Sequence, residues 1–142
     1  MLDDKPKVRI GALLEQASAH WRQQLQAALA AQGAPALGAA AELLGHIPAD
    51  GIPQSGLAER IGLSKQAVQQ FLDQLESHGL VHREPDASDR RAKRVRITEA
   101  GLVALELRRD TERQLERQFR ARLGGKFSAK LKKSLKIFTR PE

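Results

Sequence analysis

Residues 54–101 read QSGLAERIGLSKQAVQQFLDQLESHGLVHREPDASDRRAKRVRITEAG, a short helix, a Gly-Leu-Ser corner, a second helix and a basic hairpin in unbroken succession. Gly62 suits the left-handed residue that closes the helix of 54–61, and Leu63 after it is expected to pack inward. Ser64 is placed to accept from the amides of Gln66 or Ala67 and so to start the helix of 65–77. Within that helix Ala67, Val68, Phe71, Leu72 and Leu75 recur at three- and four-residue spacing, which leaves Lys65, Gln66, Gln69, Gln70 and Asp73 on the opposite side. Helix, glycine corner and capped helix together predict a helix-turn-helix. Beyond His78-Gly79, residues 81–84 and 94–97 form two strand-like arms around the loop of 85–93. Val95 and Ile97 alternate with Arg94 and Arg96, a period of two that predicts one packed face and one wet, basic face.

Outward from this device the chain is helical. Ile10, Leu13, Leu14, Ala17, Trp21, Leu25, Ala28 and Leu29 mark a long amphipathic helix over 8–31, ending at Gly33. An alanine-rich helix over 37–44 is closed by Gly45 and broken by Pro48, Gly51 and Pro53, the last suited to the first turn of the helix of 54–61. Thr98 caps a final long helix whose seam is Leu102, Leu105, Leu115, Phe119 and Leu123. Gly124-Gly125 interrupts it, and a last amphipathic helix over 126–139 carries Phe127, Leu131, Leu135 and Phe138. The expected fold is mainly α with a small β-wing. A winged helix-turn-helix lobe of 36–98 is flanked by an N-terminal dimerisation helix in 1–35 and C-terminal dimerisation helices in 99–142. The terminal helices carry more apolar stripe than the lobe between them can cover, and such seams meet a partner.

Lys and Arg number 24 against 17 Asp and Glu, and the net charge of +7 favours polyanionic partners. Cysteine is absent, so disulfides, thiolate zinc sites and thiol redox sensing are excluded. No apolar run approaches the roughly 18 residues of a membrane span, and residues 1–9 mix charges unlike a signal peptide; a cytoplasmic protein without a membrane role is expected. His20, His46, His78 and His82 lack the spacing of metal ligands, because Gly79 and a strand separate the two that lie four apart. No catalytic triad, phosphate loop or paired carboxylates stand out, so neither enzymatic activity nor a cofactor is expected.

The chemistry lies in two places. A helix in the major groove reads bases from its N-terminal part, where Gln pairs with adenine and Lys or Ser reaches guanine or phosphate. Gln66, Gln69 and Gln70 are therefore the base-reading candidates, with Ser64 and Lys65 nearer the backbone. At the hairpin tip, Arg90, Arg91, Lys93, Arg94 and Arg96 crowd together, offset only by Asp86 and Asp89. Arginine is favoured in a narrow minor groove, and Asp89 two residues before Arg91 is expected to pair with its guanidinium and pre-set it. The plainer alternative is a solvated turn with surface ion pairs worth about 0–1 kcal/mol. Residues 117–141 contain no acid and nine cations from Arg117 to Arg140, either a solvated helical face or a surface for flanking phosphates or an acidic partner.

The run from Leu57 to Gly101 resembles the winged helix-turn-helix of the MarR-type (multiple-antibiotic-resistance regulator) transcription factors, above all in Asp89-x-Arg91-x-x-x-Val95-x-Ile97-Thr98 followed by Gly101. The resemblance implies that 65–77 is the recognition helix, that Arg91 is the minor-groove arginine of the 85–94 wing, and that Asp89 is its partner. It also implies an intertwined homodimer on a pseudo-palindromic duplex operator. A small-molecule effector would sit between the dimer helices and the lobe, with His20, Trp21 and Gln24 as candidates. The segment of 34–51 departs from the family in lacking its Leu-Thr lead-in. The reading is a dimeric, sequence-specific transcriptional regulator acting as a repressor. Its rival is a winged-helix module for protein interaction or non-specific nucleic-acid binding, and duplex selection separates the two.

Overall fold

A computed structural model describes residues 7–141. Its elements are α1 (Ile10–Ala31), a 3-10 helix (Gly38–His46), β1 (Ile52–Pro53), α2 (Gln54–Ile61), α3 (Lys65–Ser77), β2 (Val81–Pro85), β3 (Lys93–Ile97), α4 (Glu99–Leu123) and α5 (Gly125–Phe138). They divide into two compact units, Leu29–Arg109 and the described residues up to Ala28 with those from Asp110 onward.

The unit Leu29–Arg109 is built on one apolar core. Leu43 and Leu44 of the 3-10 helix, Leu57 of α2, Val68, Leu72 and Leu75 of α3 and Val95 of β3 are all buried. The helical spacing expected for α3 is thus the spacing of its buried face. Its sheet has three antiparallel strands in the order β1-β3-β2. Arg83 and Ile52 both oppose Val95, one from each side.

Four local expectations are corrected. The hairpin gains a third strand, β1, too short at two residues for any alternation to reveal it. Pro53 ends that strand with extended ψ of 139° and stands just before α2 instead of in its first turn; its missing amide is tolerated on an edge strand. The segment expected as an α-helix over 37–44 winds as a 3-10 helix, which aligns Ala40 and Leu43, three apart, on one buried edge. Leu63 is 38% exposed instead of inward, because the corner turns tightly: Gly62 has φ of 73°, and the Leu63 amide reaches back to the Ala58 carbonyl at 3.2 Å.

In the second unit Leu25 and Thr111 are buried, whereas Ile10, Phe127 and Phe138 are 75%, 65% and 73% exposed. No residue of α5 is buried. Gly124, at φ of 83°, separates α4 from α5 as expected, and Lys132 of α5 pairs with Glu116 of α4 at 3.4 Å.

The start of α4 is fastened to the end of α3. The Thr98 hydroxyl accepts from the Gly101 amide at 3.0 Å and donates to the Gly79 carbonyl at 2.6 Å, while the Thr98 amide bonds the Leu80 carbonyl at 3.0 Å. Gly101 has no room for a side chain, since an added Cβ would lie 2.0 Å from the Leu80 carbonyl oxygen and 2.7 Å from Ile97 Cγ1. Gly101→Ala is therefore expected to cost about 1–3 kcal/mol, the range of overpacked sites, read as a lower urea midpoint; an unchanged midpoint would refute this packing.

Candidate nucleic-acid interface

Helix α3 begins as its sequence requires: Ser64 is extended, with φ −64° and ψ 153°, and its hydroxyl accepts from the Ala67 amide at 3.1 Å. With Val68, Leu72 and Leu75 turned inward, Lys65, Gln66, Gln69 and Gln70 are all exposed. Gln69 is not isolated. Its Nε2 donates to Asp73 Oδ1 at 3.0 Å, and its Oε1 accepts from Gln54 Nε2 at 2.5 Å.

Arg83 on β2 joins the sheet to this helix. Its side chain is only 8% exposed, and its Nη2 donates to Asp73 at 2.5 Å and to Glu76 at 3.3 Å. Its backbone amide donates to Glu76 Oε2 at 3.1 Å. The hydrogen bond from Arg83 holds the Glu76 carboxyl below its ordinary value, against a smaller opposing effect of burial. Burial disfavours charge on Arg83, yet the bonds to Glu76 and Asp73 outweigh it and raise its pKa. The composition of α3 offers one clue to this brace: Asp73 and Glu76 lie three apart, on neighbouring turns of one helical side.

The wing divides its cations into two groups. Arg94 donates to the Asp50 carbonyl from Nε at 3.2 Å and Nη2 at 3.0 Å, and to the Gly51 carbonyl at 3.2 Å; Asp86 lies 3.6 Å from its Nη1. Arg96 donates to the same Asp50 carbonyl at 2.9 Å and to Glu84 at 2.5 Å. The basic face expected at these two positions is thus tied to the loop before β1: Arg94, partly buried, and Arg96, still exposed, both donate to the Asp50 carbonyl that the fold brings beside them. The Arg96 bond also lowers the pKa of Glu84. Arg90, Arg91 and Lys93 are exposed at the tip, with no ion-pair partner among the described residues.

Two residues order that tip. Buried Asp86 donates its amide to the Ala92 carbonyl at 2.9 Å and accepts from the Ser88 hydroxyl at 2.8 Å. Asp89 does bond to Arg91, but its Oδ1 accepts from the Arg91 backbone amide at 3.0 Å and not from the guanidinium. An acid two residues ahead of an amide closes an Asx turn, so the carboxylate shapes the loop and leaves the Arg91 side chain to reach outward.

Trp21 is half-buried and His20 and Gln24 are exposed on α1. None of them lines the cavity of about 210 Å³ within Leu29–Arg109, which is walled by Leu29, Pro35, Leu37, Leu44, Val103 and Leu107 among others. Sequence reasoning missed this cavity because its walls come from three separate segments. His78 Nδ1 lies 2.9 Å from the Gln74 carbonyl, and among the described residues no group of three or more metal-ligating side chains is assembled. No described helix is long and apolar enough to cross a membrane.

Residues 37–92 match the model of the MarR family. The crystal structure of wild-type MarR from E. coli is similar over 94% of this chain and 98% of its own, with a TM-score of 0.77 and 22% identity. An S. aureus MepR–DNA complex is similar over 93% and 97%, at 0.77 and 21%. A cysteine-to-serine mutant of E. coli MarR complexed with operator DNA is similar over 99% and 100%, at 0.79 and 22%. The fold of this chain is that of the MarR winged-helix transcription regulators.

The Glu76–Arg83 contact has a pH signature. A carboxyl held below its ordinary 4.5 contributes stability that is present above that value and lost as the pH falls through the lower folded-state one. Glu76→Gln is expected to cost about 1 kcal/mol near neutrality, discounted for the exposure of the carboxylate, and to flatten the loss of stability between about pH 5 and pH 3. Urea titrations across that range test this, and an acid limb as steep as the wild type's would refute it.

Proposed function

We propose that this chain, which matches the MarR family model over residues 37–92 and shares the MarR fold, is a homodimeric, sequence-specific DNA-binding transcriptional regulator that acts as a repressor. The observation that carries this reading is the pairing, on one lobe, of a capped helix bearing exposed Lys65, Gln66, Gln69 and Gln70 with a wing tip bearing exposed Arg90, Arg91 and Lys93. The determination of two similar structures with DNA, one of them operator DNA, supports it.

In this reading α3 lies in the major groove, about 12 Å wide, and its glutamines meet base edges. Ser64 and Lys65 contact phosphates. Arg91 enters the minor groove from a loop shaped by Asp89, and Arg90 and Lys93 flank it at the phosphates. Arg94, whose Nε and Nη2 donate to the Asp50 and Gly51 carbonyls, serves as a brace within the interface rather than as a direct contact. The exposed apolar residues of α1 and α5, Ile10, Leu13, Phe127, Leu131 and Phe138 among them, supply the dimer contact. Two-fold symmetry then presents two helices to half-sites about one helical turn apart, and a dimer over a promoter excludes polymerase. An effector that relieves repression is a hydrophobic organic molecule, the chemistry that the apolar cavity suits. The site of action is the cytoplasm, with the DNA.

Arg91→Ala is expected to lose about 1–3 kcal/mol of affinity for the operator, whereas Lys65→Ala weakens all duplexes alike and lowers the salt slope by about one. Selection from random duplexes followed by gel-shift titration reads both. Enrichment of a palindrome supports the proposal, and binding without any enriched motif would leave a non-specific module. Phe127→Asp places a charge on the proposed seam and should yield monomers in sedimentation equilibrium; an undiminished dimer would remove α5 from the interface.

A further inference from the structure

The polar side of α3 contains a hydrogen-bonded glutamine among exposed ones without such a partner among the described residues. Arg83 on β2 donates to Asp73 at 2.5 Å, Asp73 accepts from Gln69 Nε2 at 3.0 Å, and Gln69 Oε1 accepts from Gln54 Nε2 at 2.5 Å. The chain of bonds spans three elements, β2, α3 and the first residue of α2. It also has a sense. A carboxylate accepts only, so the amide of Gln69 must turn its nitrogen to Asp73 and its oxygen to Gln54. A reversed Gln69 would set oxygen against carboxylate and nitrogen against nitrogen. Gln66 and Gln70, exposed and without a comparable partner among the described residues, are under no such restriction.

Arg83 does not itself face a ligand, since its side chain is 8% exposed. Its role is upstream. By holding Asp73 with one nitrogen while engaging Glu76 through its backbone and side chain, it keeps the Asp73 carboxylate in place. Locked in this way, Gln69 still has a second lone pair on Oε1 and a second proton on Nε2, the acceptor and donor that the amino group and N7 of adenine complement. Its ordering precedes binding, so less freedom is lost at the moment of contact.

We propose that Asp73 and Arg83 are positioning residues for base readout, and that the chain Arg83–Asp73–Gln69–Gln54 makes Gln69 the residue that discriminates adenine, while unrestrained Gln66 and Gln70 tolerate more than one base. This rests on the reading of α3 as a major-groove helix. Asp73→Ala is the informative change. Arg83 and Gln69 both donate to the one oxygen Oδ1, which an asparagine would still present, whereas alanine removes the acceptor and with it the sense of the chain.

The test is selection from random duplexes, then affinities for the selected operator and its single-base variants, with the wild type, Gln69→Ala, Asp73→Ala and Arg83→Lys. The wild type is expected to reject wrong bases at the Gln69 position by roughly five-fold or more, and Gln69→Ala to identify that position by losing the preference. Asp73→Ala should abolish most of the preference there and leave the other positions and binding to unrelated duplex near wild type. Arg83→Lys keeps the charge without the fork, so a smaller loss at the same position is expected, and it serves should Asp73→Ala misfold. A purely structural role would weaken every position together. That pattern, or full discrimination at the Gln69 position in both variants, overturns the inference while the DNA-binding reading stands. No enriched motif for the wild type would overturn both.

Discussion

The lobe depends on β3, five residues that must serve two opposite surfaces at once. Val95 fills the core from the centre of the sheet, opposed by Arg83 on one side and Ile52 on the other. Its neighbours Arg94 and Arg96 point the other way and converge on the carbonyl of Asp50. Strand alternation makes these commitments inseparable: a slip of one residue would drive arginine into the core and take the clamp off the loop. Gly51 belongs to the same constraint, because a Cβ there would lie 2.8 Å from the Val95 carbonyl oxygen, at a φ of 83° that already favours glycine. The wing tip is a loop held at both ends by this register, and so its cations have a defined place relative to α3.

Ion pairs in the lobe act more on orientation than on stability. Arg96 with Glu84 joins partners within reach of water, and such pairs add little. Arg83 is different because its charge is nearly buried, and a buried charge is tolerated only when its partners stay in place. The two acids it binds lie on α3, so the angle between the sheet and that helix is set by polar geometry in addition to the packing of Leu72, Leu75 and Val81. Packing alone resists compression but allows sliding; directed hydrogen bonds resist the slide.

Features governed by near neighbours were legible in the sequence. Ser64 capping α3, Gly62 closing α2, Thr98 at the head of α4 and Gly124 before α5 each involve partners within a few residues, and the spacing of Val68, Leu72 and Leu75 already specified which side of α3 is buried. Features governed by distant partners were not. Arg94 and Arg96 find Asp50, 44 and 46 residues away, and from composition alone they are indistinguishable from Arg90 and Arg91. Arg83 finds Asp73 across a helix end, and β1 exists only because β3 passes beside it. That Asp89 bonds to Arg91 was legible and which group donates was not, since guanidinium and amide of Arg91 stand at the same sequence distance.

This division changes the weight given to net charge. The wing carries five cations, of which Arg94 and Arg96 are tied to the Asp50 carbonyl, while the side chains of Arg90, Arg91 and Lys93 have no ion-pair partner among the described residues. Each phosphate neutralised contributes about 0.9 to the salt dependence of duplex binding, so a single lobe with these three and Lys65 has a modest electrostatic hold. A hold of that size leaves a single lobe to exchange readily between sequences. Doubling it in the proposed dimer would multiply the base contacts of α3 as well as the phosphate contacts, because the second lobe would bind at high effective concentration. On that proposal, selectivity depends on the exposed seam of the terminal helices as much as on the glutamines of α3. Arg94 and Arg96 contribute within each lobe by tying β3 to the loop before β1, which fixes the strand that carries the tip.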